Sequence, residues 1–298
     1  MAHRSIVPCL WFDAQAERAA AFYAETFTGG RVTAASRYPE SAENPAKEPR
    51  GSVLTVELEI FDQAFTALNG GPAFTINPSI SFFVDVTSAA EVDRLYAALA
   101  AGGEALMPIG SYPWGERYAW VKDRFGVSWQ LVAGAAPARI APCLMFAGAR
   151  SGRAEEAIAM YTRVFPGGRV EQLARYAAGE GPEGRIKHAR FGVAGQTLVA
   201  MDGDAEHDVA FDEGVSLQVM CESQAEVDRY WAALSEGGEP GPCGWLKDRF
   251  GVSWQVVPTG IGRWLTSADA AARDRAFAAF LRMTKPDVAE LEAAFRGA

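Results

Sequence analysis

The sequence predicts an α+β fold made of two tandem copies of one domain. Each copy holds two βαβββ modules that form a curved mixed sheet, and a helical extension follows at the C-terminus. Three observations lead there. The string Lys122-Asp123-Arg124-Phe125-Gly126-Val127-Ser128-Trp129-Gln130 recurs letter for letter as Lys247 to Gln255. Ala90 to Arg94, Gly29 to Val32 and Pro8 to Leu10 recur in the same order as Ala225 to Arg229, Gly167 to Val170 and Pro142 to Leu144, which marks a duplication. The length, 298 residues, suits two domains. The expected boundaries are 1–135, 136–262 and 263–298, with a small-residue seam at Ala133 to Arg139.

Each element has a local reason. Ile6 to Phe12 is a short apolar run of strand formers. Ala16 to Phe27 sets Ala19, Phe22, Tyr23 and Phe27 on one helical face, and Gly29-Gly30 stops it. Arg31 to Tyr38, Ser52 to Ile60 and Phe65 to Leu68 follow as strands. The pattern then restarts with a strand at Ser79 to Val86. Ser88 caps the next helix, with Glu91 at the capping-box position, and Gly102-Gly103 ends it. Tyr118 to Lys122 and Ser128 to Val132 are strands joined by a turn at Asp123 to Gly126, where Gly supplies the unusual backbone and Asp caps it.

The second copy carries a four-residue insertion near Ala149 to Gly152 and is about ten residues shorter after its last repeat helix. Past Pro258, Ala268 to Arg282 and Asp287 to Phe295 read as helices broken at Lys285-Pro286. Their apolar stripe, Phe277, Phe280, Leu281, Val288, Leu291 and Phe295, is expected to pack on the core.

Composition narrows the function classes. Hydrophobic residues make up 49% and charged residues 22% of the chain, an ordinary globular balance. The formal charge of −9 disfavours a nucleic acid or an anionic membrane as partner. The start of the chain shows no signal-peptide core, and the four cysteines never form CxxC; a cytoplasmic, reduced protein is expected. Three scattered histidines, His3, His188 and His207, support no Ser-His-Asp or Cys-His pairing. The Asp-Arg-Phe-Gly turns lack the other parts of a kinase. Trp129 and Trp254 are expected core anchors, and Cys9 and Cys143 inert buried thiols.

Four βαβββ units in this order resemble the vicinal oxygen chelate superfamily of glyoxalases, extradiol dioxygenases and bleomycin-resistance proteins. More narrowly, both copies look like PhnB-like domains that carry the label 3-demethylubiquinone-9 3-methyltransferase. The residues that carry the resemblance are Pro8 to Asp13, Phe22-Tyr23, Ala67 to Gly71 and Trp120 to Gln130, with Cys243 to Pro258 in the second copy. The resemblance implies glyoxalase-like cups with metal ligands on their first and last strands. Counting from the motifs, those positions fall on Pro8, Ala67, Ser79 and Gln130, and on Pro142, Ala200, Gly214 and Gln255. Pro and Ala carry no ligand atom, so no metal and no cofactor is expected. The loop 202–208 lacks calcium-loop spacing.

If these positions define the concave face, alternation names their neighbours. The candidate ligand contacts are Phe12, Phe65, Asn69, Ser79, Ser81, Phe83, Ser128 and Gln130 in copy one, and His188 and Gln255 in copy two. Such a wall suits a small organic ligand oriented by a few hydrogen bonds; the alternative is a cup filled with its own side chains. A loop at Tyr112-Pro113-Trp114 is a candidate lid, with Trp114 over the mouth and Glu116 or Arg117 on substrate, placing any activity in copy one. Gln130→Ala is expected to leave the fold intact.

Three functions follow: a metal-free small-molecule binder or enzyme of unknown substrate; a metal-dependent glyoxalase or dioxygenase with non-standard ligands; and the methyltransferase of the label, for which no S-adenosylmethionine motif is present. The duplication suggests that the copies pair as an intrachain pseudo-dimer, leaving the chain a monomer or homodimer.

Overall fold

The computed structural model describes residues 5–39, 46–134, 137–206 and 209–298. His3 and His207, expected on the surface, lie outside them, as do parts of the seam and of the acidic loop. The first copy runs β1 (Ile6–Phe12), α1 (Ala16–Thr26), β2 (Arg31–Arg37), β3 (Val53–Ile60), β4 (Gln63–Asn69), β5 (Ile80–Val86), α2 (Ala89–Leu99), β6 (Glu104–Tyr112), β7 (Gly115–Lys122) and β8 (Ser128–Ala133). The second runs β9 (Arg139–Phe146), α3 (Ala154–Val164), β10 (Arg169–Arg175), β11 (Ile186–Val193), β12 (Gln196–Asp202), β13 (Val215–Cys221), α4 (Gln224–Ser235), β14 (Glu239–Pro240), β15 (Trp245–Lys247) and β16 (Ser253–Pro258). Helices α5 (Gly260–Leu265), α6 (Ala270–Arg282) and α7 (Val288–Arg296) complete it. The four-residue insertion forms a 3-10 turn at Gly148–Arg150. The cap signals are real: the Ser88 and Ser223 hydroxyls accept from the Glu91 and Glu226 amides at 3.2 and 3.3 Å, satisfying orphan donors of the first turn.

The strands form two eight-stranded mixed sheets, ordered β14-β15-β16-β13-β1-β4-β3-β2 and β10-β11-β12-β9-β5-β8-β7-β6. Neither sheet follows the repeat boundary. The first joins the opening module of copy one to the closing module of copy two through antiparallel β1 and β13, with Ile6 opposite Val219. The second joins the two inner modules through β5 and β9, with Ile80 opposite Leu144. Helices α1 to α4 cover one face of the sheets. These faces merge into one core, where the Phe65 ring lies 5.0 Å from Phe82, and Phe82 lies 5.3 Å from Trp129. The opposite faces form two cups. Among the described residues no helix is long and apolar enough to cross a membrane.

Two expectations need correction. The lid loop is a hairpin, because the stretch before Trp114 pairs as β6 along β7 with register shifts that absorb Pro108. The apolar stripe of α6 and α7 packs largely on itself and on α5, and Phe277 closes over the first cup instead of joining the main core.

Candidate functional site

The repeated string is explained by a carboxylate that ties three elements together. One Asp123 oxygen accepts from the Phe125 and Val127 amides at 2.8 and 3.1 Å, capping the turn before β8. The other accepts from the Tyr23 hydroxyl on α1 and the Trp129 indole on β8, both at 2.8 Å. Asp248 repeats the arrangement with Phe250, Val252, Tyr161 and Trp254. Burial raises the Asp123 carboxyl above its ordinary range, opposed by those four donors. The motif is architecture, and it holds helix to sheet in both copies.

The first cup contains a cavity of about 450 Å³, within the range of small-molecule sites. Val7, Cys9 and Trp11 of β1, Thr66 and Leu68 of β4, Gln218 and Met220 of β13, and Gln255 and Val257 of β16 point into it. On β1 and β4 this is the opposite parity to the one expected, while Gln255 on β16 faces the cup as expected. Alternation defines two faces but not which is concave, and a one-residue slip exchanges them. Phe12 and Phe65 therefore turn their rings to the core, Phe12 meeting Phe125 at 6.4 Å and Phe65 meeting Phe82 at 5.0 Å, although Phe65 still borders the cavity. Asn69 is buried at the end of β4, where its Oδ1 accepts from the Ala16 amide at 2.8 Å and its Nδ2 donates to Glu17 and to the Val53 carbonyl, both at 3.0 Å. It anchors the start of α1 and takes no part in the cup. The next residue, Gly70, has a reason to lack a side chain: a Cβ there would lie 2.3 Å from the Trp11 ring.

A polar ladder crosses the cup floor. Thr66 donates to the Gln218 carbonyl at 2.9 Å, the Gln218 amide donates to the Gln255 carbonyl at 3.2 Å, and the Gln255 amide donates to Ser216 at 2.8 Å. Cys9 lies beside Gln255 and Ser216, and burial pushes its thiol up to about 11, so it is neither thiolate nor nucleophile at neutral pH. Trp11 stands edge-on to Trp245 at 5.8 Å, its indole bonded to the Gly71 carbonyl at 2.7 Å. Tyr38 and Thr55 form one rim, and Leu265, Phe277 and Phe280 of α5 and α6 form the roof.

The second cup is filled. Phe83, Tyr118, Val132, Cys143 and Val199 form a buried cluster on its concave face. At its floor Gln130 is buried: Tyr118 donates to its carbonyl at 2.7 Å, and its amide donates to Ser81 at 2.9 Å and to the Cys143 sulfur at 3.5 Å. Gln130 thus ties β8 to three other strands, and its removal leaves the Tyr118 hydroxyl without this acceptor, so Gln130→Ala is now expected to cost stability. Arg190 stacks over Phe83 at 4.9 Å and pairs with Asp85 at 2.8 Å; Arg139 pairs with the same Asp85 at 2.8 Å. His188 packs on Phe83 at 5.5 Å, its Nε2 buried without a hydrogen-bond partner among the described residues, and burial lowers its pKa to about 4. Ser128 accepts from the Trp120 indole at 2.6 Å, while the buried Ser79 takes part through its backbone.

Of the candidate contacts, then, only Gln255 faces the open cup through its side chain. Ser81, Phe83, Gln130 and His188 belong to the filled one. Trp114 is 50% exposed and stacks on Tyr112 at 5.2 Å at the edge of the second sheet, and Arg117 pairs with Asp93 of α2 at 2.6 Å. No lid over the open cup comes from this hairpin, and the open cup belongs to neither copy alone. Sequence reading missed Gln218, Thr66, Trp11, Met220 and Glu57. The exchange of Phe83 for Gln218 at the same register in the two copies was the available signal.

The fold implies a metal, and the residues present do not suit one. Among the described residues no three His, Cys, Asp or Glu side chains converge to hold an ion. At the floor stand a neutral thiol, a hydroxyl and an amide already bonded to it, donors that compete poorly with water for a divalent ion.

Two curved mixed sheets of this construction make a glyoxalase-like fold. A glyoxalase I mutant from Zea mays superposes with a TM-score of 0.56 at 15% identity, covering 88% of this chain and 97% of that one. The 3-demethylubiquinone-9 3-methyltransferase family model matches residues 4–132 and again 138–257, and the chain belongs to that family. A PhnB protein from Bacillus cereus described with the same methyltransferase name is 32% identical over 42% of this chain and 96% of its own, with a TM-score of 0.39. No curated protein gives a significant match.

Proposed function

We propose that the protein binds a small, largely apolar organic molecule in the first cup, without a resident metal ion. The observation that supports this reading is the contrast between two cups of common descent. One is occupied by the buried side chains of Phe83, Tyr118 and the Arg190–Asp85 pair. The other keeps about 450 Å³ over a hydrogen-bonded floor. A concave, largely apolar cup of this size with a few polar groups on its floor is the kind of space that small organic molecules occupy. Burial in such a wall supplies affinity, at about 25 cal/mol per Å² of apolar surface, while Gln218, Gln255 and Thr66 orient the guest.

Titration with Nile red, a neutral apolar fluorophore, tests the site. Saturable binding near one equivalent is expected. Leu68→Trp, which fills the cup, weakens it at least tenfold. Binding that does not saturate, or that Leu68→Trp leaves unchanged, rejects the cup as a ligand site.

A further inference from the structure

The two cups differ in charge as well as in space. Strand register makes Glu57 of β3 the counterpart of Arg190 of β11, since Glu57 lies opposite Thr66 and Arg190 opposite Val199. By the same pairing Gln218 corresponds to Phe83. In the filled cup the cation is built in: Arg190 lies on the Phe83 ring and against the Asp85 carboxylate. In the open cup that cation and both of its partners are exchanged: Glu57 stands for Arg190, Gln218 for Phe83 and Met220 for Asp85. Trp11, Trp245, Tyr38 and Phe277 offer ring faces and edges around the cavity. Glu57 projects into its mouth, and among the described residues its carboxylate has neither an ion-pair nor a hydrogen-bond partner. The other charged side chain on the described wall is Glu59, already paired with Arg31 at 2.8 Å. No Lys, Arg or His lines the cavity among the described residues.

We propose that the first cup selects an organic cation, an apolar body carrying one basic nitrogen, with Glu57 as its counter-ion. The assignment rests on the small-molecule reading of the same cup. The apolar wall already raises the Glu57 carboxyl above its ordinary range, a shift that a cation beside it reverses. Aromatic faces favour the same guest, because a ring quadrupole attracts an ammonium group. An anion finds no positive side chain among the described lining residues, and meets the Glu57 carboxylate instead.

Three probes with one body separate the alternatives: 4-phenylbutylamine, 4-phenylbutanol and 4-phenylbutyrate, titrated into the full chain at neutral pH by isothermal calorimetry. The amine is expected to bind at least tenfold tighter than the carboxylate, with the alcohol between them. Glu57→Gln, at a position without partners to lose, should remove the amine's advantage and leave the alcohol within about twofold. The Nile red titration run beside it separates the two readings. If Nile red binds at the cup but the three probes bind equally, or the carboxylate binds tightest, or Glu57→Gln leaves the preference intact, the cation assignment falls and the cup reading stands. If neither Nile red nor any probe binds, both fall.

Discussion

Asp123 and Asp248 each collect four donors with two oxygens, and no other side chain of that size can. An asparagine would turn its own N–H groups against a pair of donors. Asp123→Asn or Asp248→Asn is therefore expected to cost about 3 kcal/mol or more in urea unfolding, since buried donors lose a charged acceptor. His188 gives a pH signature of known sign. Its folded pKa is about 4, against 6.5 for an unperturbed imidazole, so between those values the unfolded chain takes up a proton that the folded chain refuses. Stability falls as pH drops from about 6.5 to about 4, by roughly 2–3 kcal/mol from this group. The buried carboxyls Asp123 and Asp248 shift upward and act in the opposite sense. The difference between wild type and His188→Leu isolates the histidine: stability curves that stay parallel from pH 7 to pH 4 would contradict it. The Asp-Arg-Phe-Gly turn and its capping Asp were legible in the sequence because a turn is local. The reach of that Asp to Tyr23 was not, because 100 residues separate them.

Among the elements, the roof of the first cup depends on few contacts. Phe277 of α6 meets Tyr38 edge-on at 6.2 Å and closes a small cluster with Leu54, while α6 and α7 otherwise bury their stripes against each other and α5. Phe277→Ala should raise amide hydrogen exchange in α6 and α7 well above any change in the two sheets. An equal rise in both would show that the roof and the core unfold as one unit. The helices, strands and caps were readable from local periodicity, and the main exceptions are instructive. Strand β6 was hidden by Pro108 and the glycines near it. The parity of β1 and β4 was hidden because Val, Cys, Leu and Phe alternate with one another, leaving no polar face to mark the cup.

At the scale of the whole molecule, two contacts that a dimer would make between subunits lie inside one chain: β1 on β13, and β5 on β9. We propose that the chain is therefore self-sufficient. Light scattering should return a mass near 32.0 kDa; twice that value at micromolar concentration would refute the proposal. The duplication was legible from identical strings, but the crossing of its modules was not. Repeats that share a strand pattern can pair within a copy or across copies, and the side chains that decide it lie in different halves of the sequence.

That crossing also sets an order of assembly. The second sheet uses an unbroken stretch, from β5 at Ile80 to β12 at Asp202, whereas the first needs β1 to β4 together with β13 to β16. As the polypeptide leaves the ribosome, the inner, solid half has all its strands long before the outer, hollow half. The first module waits with the β1 edge uncovered until β13, beginning at Val215, has been made, a long-range closure of the slow kind. The half of the molecule with the open cup is thus the later of the two to have all its strands.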